Sequence, residues 1–169
     1  MMALKFLRPG RLGPFSGVKW PAPGVWLDAD GELEICRAGV HAILPDVLSV
    51  WAAEALWRVD LDGVAGLFRG VFIARRGRLL SQVDDWNDDT AREFARACVA
   101  HVRELARARA AEYVADAIAA TEEAAADRTA TRIAYVTARA ADVMTPGSFG
   151  AERRWQSAWL AARLRIATP

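Results

Sequence analysis

The stretch Trp86-Asn-Asp-Asp-Thr-Ala-Arg-Glu-Phe-Ala-Arg-Ala-Cys-Val-Ala-His-Val-Arg-Glu-Leu105 decides the fold class. Phe94, Ala97, Cys98, His101, Val102 and Leu105 recur at three- and four-residue steps, which places them along one face of a helix. Thr90 and Glu93 have the spacing of a capping box. Asp88 and Asp89 add negative charge where a helix start favours it. The stretch opens a run from Trp86 to Thr145 that holds neither Gly nor Pro and is roughly one-third Ala, the strongest helix former. One helix of that length is unusual in a globular domain, so breaks are predicted near Ala108–Ala111 and Asp127–Thr129. Val114, Ala117 and Ile118 continue the stripe weakly, and Ile133, Val136, Ala140, Val143 and Met144 form another. Pro146-Gly147 closes the run. A last helix is predicted from about Ala151 to Ile166, with Trp155, Trp159 and Ile166 on one side.

Upstream of Trp86 the pattern changes to short strands. Leu4–Leu7 reads as a first strand, followed by a turn-rich loop from Arg8 to Gly17. Asp30-Gly31 between Val25–Leu27 and Glu32–Cys36 carries a hairpin signal. Val40–Ile43 reads as a strand, and Pro45 suits the first turn of a short helix whose Val47, Leu48, Trp51 and Ala55 share a face. In Leu56–Leu61 the period switches to two, with Trp57, Val59 and Leu61 opposite Arg58 and Asp60, and Asp62-Gly63 is read as its end. Val71–Ala74 and Leu79–Val83 are read as two arms joined by a tight turn at Arg75-Arg-Gly-Arg78. The expected architecture is therefore α+β. An N-terminal mixed or antiparallel sheet of short strands with one short helix packs against C-terminal Ala-rich helices. Residues 1–86 form the strand-rich half and 87–169 the helical half of a single domain, because a sheet that short needs a cover.

The chain has 169 residues, enough for one domain with a core of its own. Its formal net charge is +1, so no global field points to nucleic acid or to an anionic membrane. Lys occurs only at Lys5 and Lys19, and the Arg- and Ala-rich composition is read as a coding bias. Two cysteines, no apolar leader and no apolar run of membrane-spanning length imply a cytoplasmic location. Seven tryptophans, at 20, 26, 51, 57, 86, 155 and 159, are read mainly as core.

The candidate sites follow from residue chemistry. Cys36 and His41 flank a glycine turn, and Cys98 and His101 lie three apart on one helix face; together they offer a Cys2His2 zinc set. The spacing matches no finger or ribbon, and Cys98 sits in the apolar stripe, so the reading is no metal and no cofactor. Cys36 with His41 also has the makings of a nucleophile and base, without an evident third residue. Asp85, Asn87 and Asp89 imitate the start of a calcium loop, but Thr90 and Arg96 replace its Gly and Glu, and helix capping accounts for the acids better. Arg75, Arg76 and Arg78 read as a solvated basic turn.

The segments Arg37-Ala-Gly-Val-His-Ala-Ile43 and Leu56-Trp-Arg-Val-Asp-Leu-Asp-Gly63, with Lys5-Phe-Leu7, Gly13-Pro-Phe15, Trp20-Pro21 and Glu152-x-x-x-Gln156-x-x-Trp159-Leu160, carry a family likeness. They resemble a group of small bacterial proteins of actinobacterial type with a Gly-aliphatic-His-Ala strand, a likeness that brings no activity with it. The strand–helix–strand order is also distantly similar to the ADP-ribosyltransferase fold, in which His41 would stand for the Tyr that stacks on nicotinamide. That likeness assigns no catalytic Glu here.

Two functions are compatible with these residues. One is a non-enzymatic binding or assembly module that self-associates or meets a protein partner through the C-terminal helices, Trp155 and Trp159 included. The other is an ADP-ribosyltransferase-like enzyme or sensor for a nucleotide-like ligand, in a cleft lined by His41, Trp20 and the Arg8–Gly17 loop, with Arg8 or Arg11 on phosphate.

Overall fold

Two long strands organise the sheet. The structure, a computed structural model, describes residues 1–35, 37–107, 119 and 130–167. Its strands are β1 (Met2–Leu7), β2 (Trp26–Asp28), β3 (Val40–Ile43), β4 (Ala55–Phe68) and β5 (Val71–Gln82). A 3-10 turn at Pro45–Val47 leads into α1 (Leu48–Trp51), and three longer helices follow: α2 (Asp88–Arg107), α3 (Ala130–Met144) and α4 (Phe149–Arg163). Every strand pairing is antiparallel. Strand order is β2-β5-β3-β1-β4, and β4 also pairs with β5. Thus β5, β3, β1 and β4 close into a ring, with β2 carried on the edge of β5 beyond β3.

Closure depends on β4 and β5 staying paired from Trp57↔Gln82 to Phe68↔Val71. This corrects two expectations. Asp62-Gly63 does not end a strand: Gly63 takes φ +62° inside β4, and register shifts at Arg58/Val59 and Val64/Gly66 bend the strand. Arg75–Arg78 is not a turn but the middle of β5. The chain reverses instead at Arg69-Gly70, where both residues have positive φ (+48° and +78°), as a two-residue turn matched to strand twist requires. A third correction concerns Asp30-Gly31. Trp26–Asp28 pairs with Arg76–Arg78, not with the segment after the turn. There the Arg76 and Arg78 guanidiniums lie 4.3 and 4.6 Å from the Trp26 ring centre.

Side-chain alternation gives the sheet two buried faces. Ala3, Leu7, Val40, Ala42, Val59, Leu61 and Leu79 pack together with Trp20 on one face. On the other, Leu4, Phe6, Ile43, Leu56 and Val71 join Phe94 and Cys98 of α2, Ile133 of α3 and Leu160 of α4 in a single cluster. Sheet and helices therefore bury one another's apolar surface, and β4 and β5, at 14 and 12 residues, are longer than the short strands expected. Trp86 seals the junction, edge-on to Phe6 at 5.5 Å and donating its Nε1 hydrogen to the Ala53 carbonyl at 2.7 Å.

The start of α2 is capped by Asn87, not by Thr90. The Asn87 Oδ1 accepts the N–H groups of Asp89 and Thr90, each at 3.1 Å, while Thr90 is buried one turn inside. In α3 the buried face runs through Ile133, Ala134, Thr137, Ala138, Ala140, Ala141 and Met144, and Val143 is exposed. α4 begins two residues earlier than expected and ends at Arg163. The expected helix breaks at Ala108–Ala111 and Asp127–Thr129, and the weak stripe at Val114, Ala117 and Ile118, lie outside the described residues. Among the described residues, no helix is long and apolar enough to cross a membrane.

α1 is only four residues long, too short to hold itself. Buried polar bonds to α4 fix it. Ser49 Oγ donates to the Arg153 carbonyl at 3.0 Å, Arg153 Nη2 donates to the Ser49 carbonyl at 2.8 Å, and the Ser157 hydroxyl meets both Ser49 N–H and Ser49 Oγ. Gln156, fully buried, links this group to α3 through the Ala134 carbonyl (3.0 Å) and Thr137 Oγ1 (2.9 Å), and accepts from Arg153 Nη1 (3.1 Å).

Two substitutions test this architecture. A Cβ at Gly77 would stand 2.8 Å from Val40 Cγ1 and 3.1 Å from Leu61 Cδ2. Gly77→Val is expected to destabilise by about 1–3 kcal/mol through overpacking, read as a lower urea midpoint with unchanged slope. Gln156→Leu strips partners from Arg153 and Thr137, and the expected loss is about 1–3 kcal/mol in the same measurement.

Candidate functional site

β1 and β3 are joined at a single residue pair, Leu4↔Ile43. That pair is the weak seam of the ring, because β1 stays with β4 from Met2 to Leu7 while β3 stays with β5 from Val40 to Ile43. The register of the pair sets Phe6 opposite His41, and no strand pairing continues there. A cavity of about 280 Å³ lies at this seam, lined by Lys5 and Phe6 of β1, His41 and Ile43 of β3, Val71 of β5, Trp51 of α1, and Pro14, Phe15 and Ser16.

The last three belong to the Gly/Pro loop after β1. The loop is tied by its own backbone, with Gly13 N–H donating to Val18 O at 2.8 Å, Gly17 N–H to Gly13 O at 3.0 Å and Trp20 N–H to Arg11 O at 2.9 Å. Its tip carries Phe15, which is 74 % exposed and meets Trp51 edge-on at 5.3 Å. Two aromatic rings, one from the loop and one from the pinned α1, thus form the mouth of the cavity.

Lys5 is the unusual member. It sits between Ala3 and Leu7 on a strand whose neighbours are apolar, and its ammonium lies 5.8 Å from the ring centre of buried Trp20. Among the described residues, no carboxylate lies within ion-pair distance of it. Loss of hydration lowers its pKa from the ordinary 10.5 to about 8. His41 is half-buried, and its pKa is lowered first by burial and then by the Lys5 charge, against a raising hydrogen bond with the Gly39 backbone. At neutral pH the cavity therefore combines one cation, one largely neutral imidazole and aromatic walls.

Of the residues singled out from the sequence, the structure brings His41 and the Arg8–Gly17 loop to this cavity. Trp20 does not line it: its ring is 2 % exposed and packs in the sheet interior. Arg8 is exposed and not among the lining residues. Arg11 is also outside the lining and is occupied as a clamp, its Nε donating to the Trp20 carbonyl at 3.2 Å. Lys5 and Trp51 are not among the cleft residues expected from the sequence, and Phe15 is included there only as part of the Arg8–Gly17 loop. A lysine amid the apolar alternation of β1, one of only two in the chain, was the signal available.

The other candidates have separate surroundings. Cys36 lies outside the described residues, so its partnership with His41 does too. Cys98 is fully buried, and burial pushes its thiol far up, which makes it a poor nucleophile. His101 stacks on Trp155 with ring centres 3.8 Å apart. Its Nδ1 is 3.0 Å from Glu152 Oε2, an ion-pair distance without well-formed hydrogen-bond geometry. Burial raises the Glu152 pKa, with His101 acting against it. Among the described residues, no three His, Cys, Asp or Glu side chains are grouped to hold a metal ion. Asp89 pairs with Arg92, and Asn87 is the helix cap. Arg76 and Arg78 pair with Asp28 and Asp60 at 3.4 and 3.0 Å. Comparisons with protein-family models, curated proteins and solved structures find no match to this chain.

The Lys5 shift has a stability consequence. Between pH 8 and 10.5 the unfolded chain keeps the lysine proton that the folded protein has released, so stability rises with pH across that window. Below it, the desolvated ammonium is a net cost. Lys5→Met is expected to remove the rise and to stabilise the protein at pH 7 by about 1–3 kcal/mol, measured by urea unfolding at pH 7 and pH 10.

Proposed function

We propose that this chain is a small-molecule-binding module whose seam cavity takes a compact, single-ring organic acid. The observation that carries the reading is Lys5, a lysine that lines an apolar, aromatic-walled cavity and has no carboxylate partner among the described residues. Such a charge is poorly solvated, and an anion of the right size relieves it. Phe15 and Trp51 suit a flat apolar body, and Phe6, Ile43 and Val71 complete the lining.

The volume discriminates between ligand classes. At about 280 Å³ the cavity falls just below the range of roughly 300–1,000 Å³ typical for drug-sized ligands. A benzene ring with one carboxylate suits that space better than a dinucleotide does. Arg8 and Arg11, the phosphate partners a nucleotide reading called for, are not among the lining residues. This small-molecule reading differs from both sequence expectations: it uses the cavity at His41 and not the C-terminal helices, and a compact acid in place of a nucleotide-like ligand.

Benzoate and phenylacetate are expected to bind with Kd of order 0.1–1 mM, as befits ligands of about ten heavy atoms. Affinity should fall as pH rises through about 8, where Lys5 loses its charge while the acid does not change. Lys5→Met should weaken binding at least about tenfold, the cost of losing one charge-assisted contact. Isothermal titration at pH 7 and pH 9.5 checks all three. Equal affinity at both pH values, or tighter binding of AMP or NAD than of either acid, would refute the reading.

A further inference from the structure

We infer that the same cavity also captures small aromatic aldehydes, holding them as an imine on Lys5 Nζ with His41 as the proton carrier. The inference rests on the reading of the cavity as a single-ring site and extends it to the carbonyl analogue of the acid.

Three observations lead there. First, Lys5 and His41 line one cavity, an amine and an imidazole sharing a space of ring size. Second, among the described residues no carboxylate holds the Lys5 ammonium in its charged form. Third, the walls are apolar, which suits a neutral aldehyde and limits the water that would hydrolyse the product. The electrostatics agree. With a pKa near 8, roughly one-fifth of Lys5 is neutral amine at pH 7.4, against about one-thousandth for an ordinary lysine. Burial lowers the His41 pKa, so its imidazole is mostly neutral at the same pH.

The step balances without redox change. The Lys5 nitrogen lone pair attacks the carbonyl carbon and forms the C–N bond, and the C=O π pair becomes an oxyanion. His41 takes one proton from the nitrogen and passes it to that oxyanion, giving the neutral carbinolamine. A proton borrowed from solvent through His41 then protonates the hydroxyl, which leaves as water while the nitrogen lone pair forms the second C–N bond, and the last N–H proton returns through His41 to solvent. Aldehyde and amine become imine and water.

The test uses benzaldehyde, the neutral counterpart of benzoate, with cyanoborohydride to fix any imine as a benzyl amine, followed by peptide mapping. The sequence makes the map simple, since Lys5 and Lys19 are its only lysines and the Met1 amine is the one further competitor. The expected result is labelling of Lys5 at least about tenfold above Lys19 and the Met1 amine, suppressed by excess benzoate. His41→Gln should slow labelling about tenfold or more at saturating benzaldehyde, where the rate no longer depends on how tightly the aldehyde binds, which separates proton transfer from simple binding. Lys5→Arg should abolish the specific adduct. If that variant does not fold, benzoate protection of the wild-type protein serves instead.

Benzoate binding without preferential Lys5 labelling overturns the imine inference and leaves the acid-binding reading standing. Absence of benzoate binding, with Lys5 labelled no faster than Lys19, overturns both. Labelling of Lys5 that benzoate does not suppress places the reaction outside the proposed cavity and overturns the inference as stated.

Discussion

Ring closure through strands of unequal length is the constraint on which the rest of this structure depends. The positive-φ turn at Arg69-Gly70 commits β4 and β5 to one another along nearly their whole length. β4 and β5 must then bend, which the register shifts at Arg58/Val59 and Val64/Gly66 permit. The remaining arc is closed by two short strands. β1 and β3 have one paired position between them, so the ring is tight on the β4–β5 side and loose at the Leu4–Ile43 seam. The cavity lies at that seam because fewer ladder hydrogen bonds draw the two backbones together there.

The helices turn this seam into a site. Phe6, Ile43 and Val71 belong to the shared core beneath the helices and also line the cavity, so the cavity floor is as fixed as the core is. The Ser49–Arg153–Ser157 bonds hold the single turn of α1, and α1 delivers Trp51. Only the opposite wall, with Phe15 at its tip, rests on a loop, and that loop is stiffened by its own backbone bonds. A rigid floor with one loop wall is a common arrangement where a ligand must enter and then be enclosed.

Much of the fold was legible because it follows from local rules. Val40–Ile43, the Pro45 helix start and the Gly- and Pro-free Ala-rich run all announce their elements. The errors share one cause. Asp30-Gly31 and Asp62-Gly63 have stronger local turn chemistry than Arg69-Gly70, and the Arg75–Arg78 run looks like a solvated turn. What overrides these preferences is pairing between residues distant in sequence: Trp26–Asp28 against Arg76–Arg78, and β4 against β5 through Gly63. Thr90 likewise has a capping spacing, but Asn87 reaches the free N–H groups first and Thr90 is buried in the helix. Of the cavity's lining, His41 and the loop were named from the sequence as residues that suit a ligand. Lys5 was not, because its significance is a matter of solvation, and nothing in the order of residues near Lys5 says that its side chain is partly buried without a carboxylate beside it.

The alternative account of Lys5 is that a long side chain lies over apolar surface with its charge in water, as lysines at the edges of cores commonly do. The Lys5 side chain is in fact partly exposed, and its partial burial is what lowers the pKa. That account gives no reason for the surroundings. A chain that uses Arg for nearly every other cation places one of its two lysines at this partly buried position. Arginine would stay charged there at any ordinary pH, and methionine would pack without the desolvation cost. Lysine alone among these is a cation that burial can convert into an amine, and the residue across the seam from its neighbour Phe6 is a histidine able to carry the proton. On the proposed reading, a ligand in the cavity would account for the choice of lysine there.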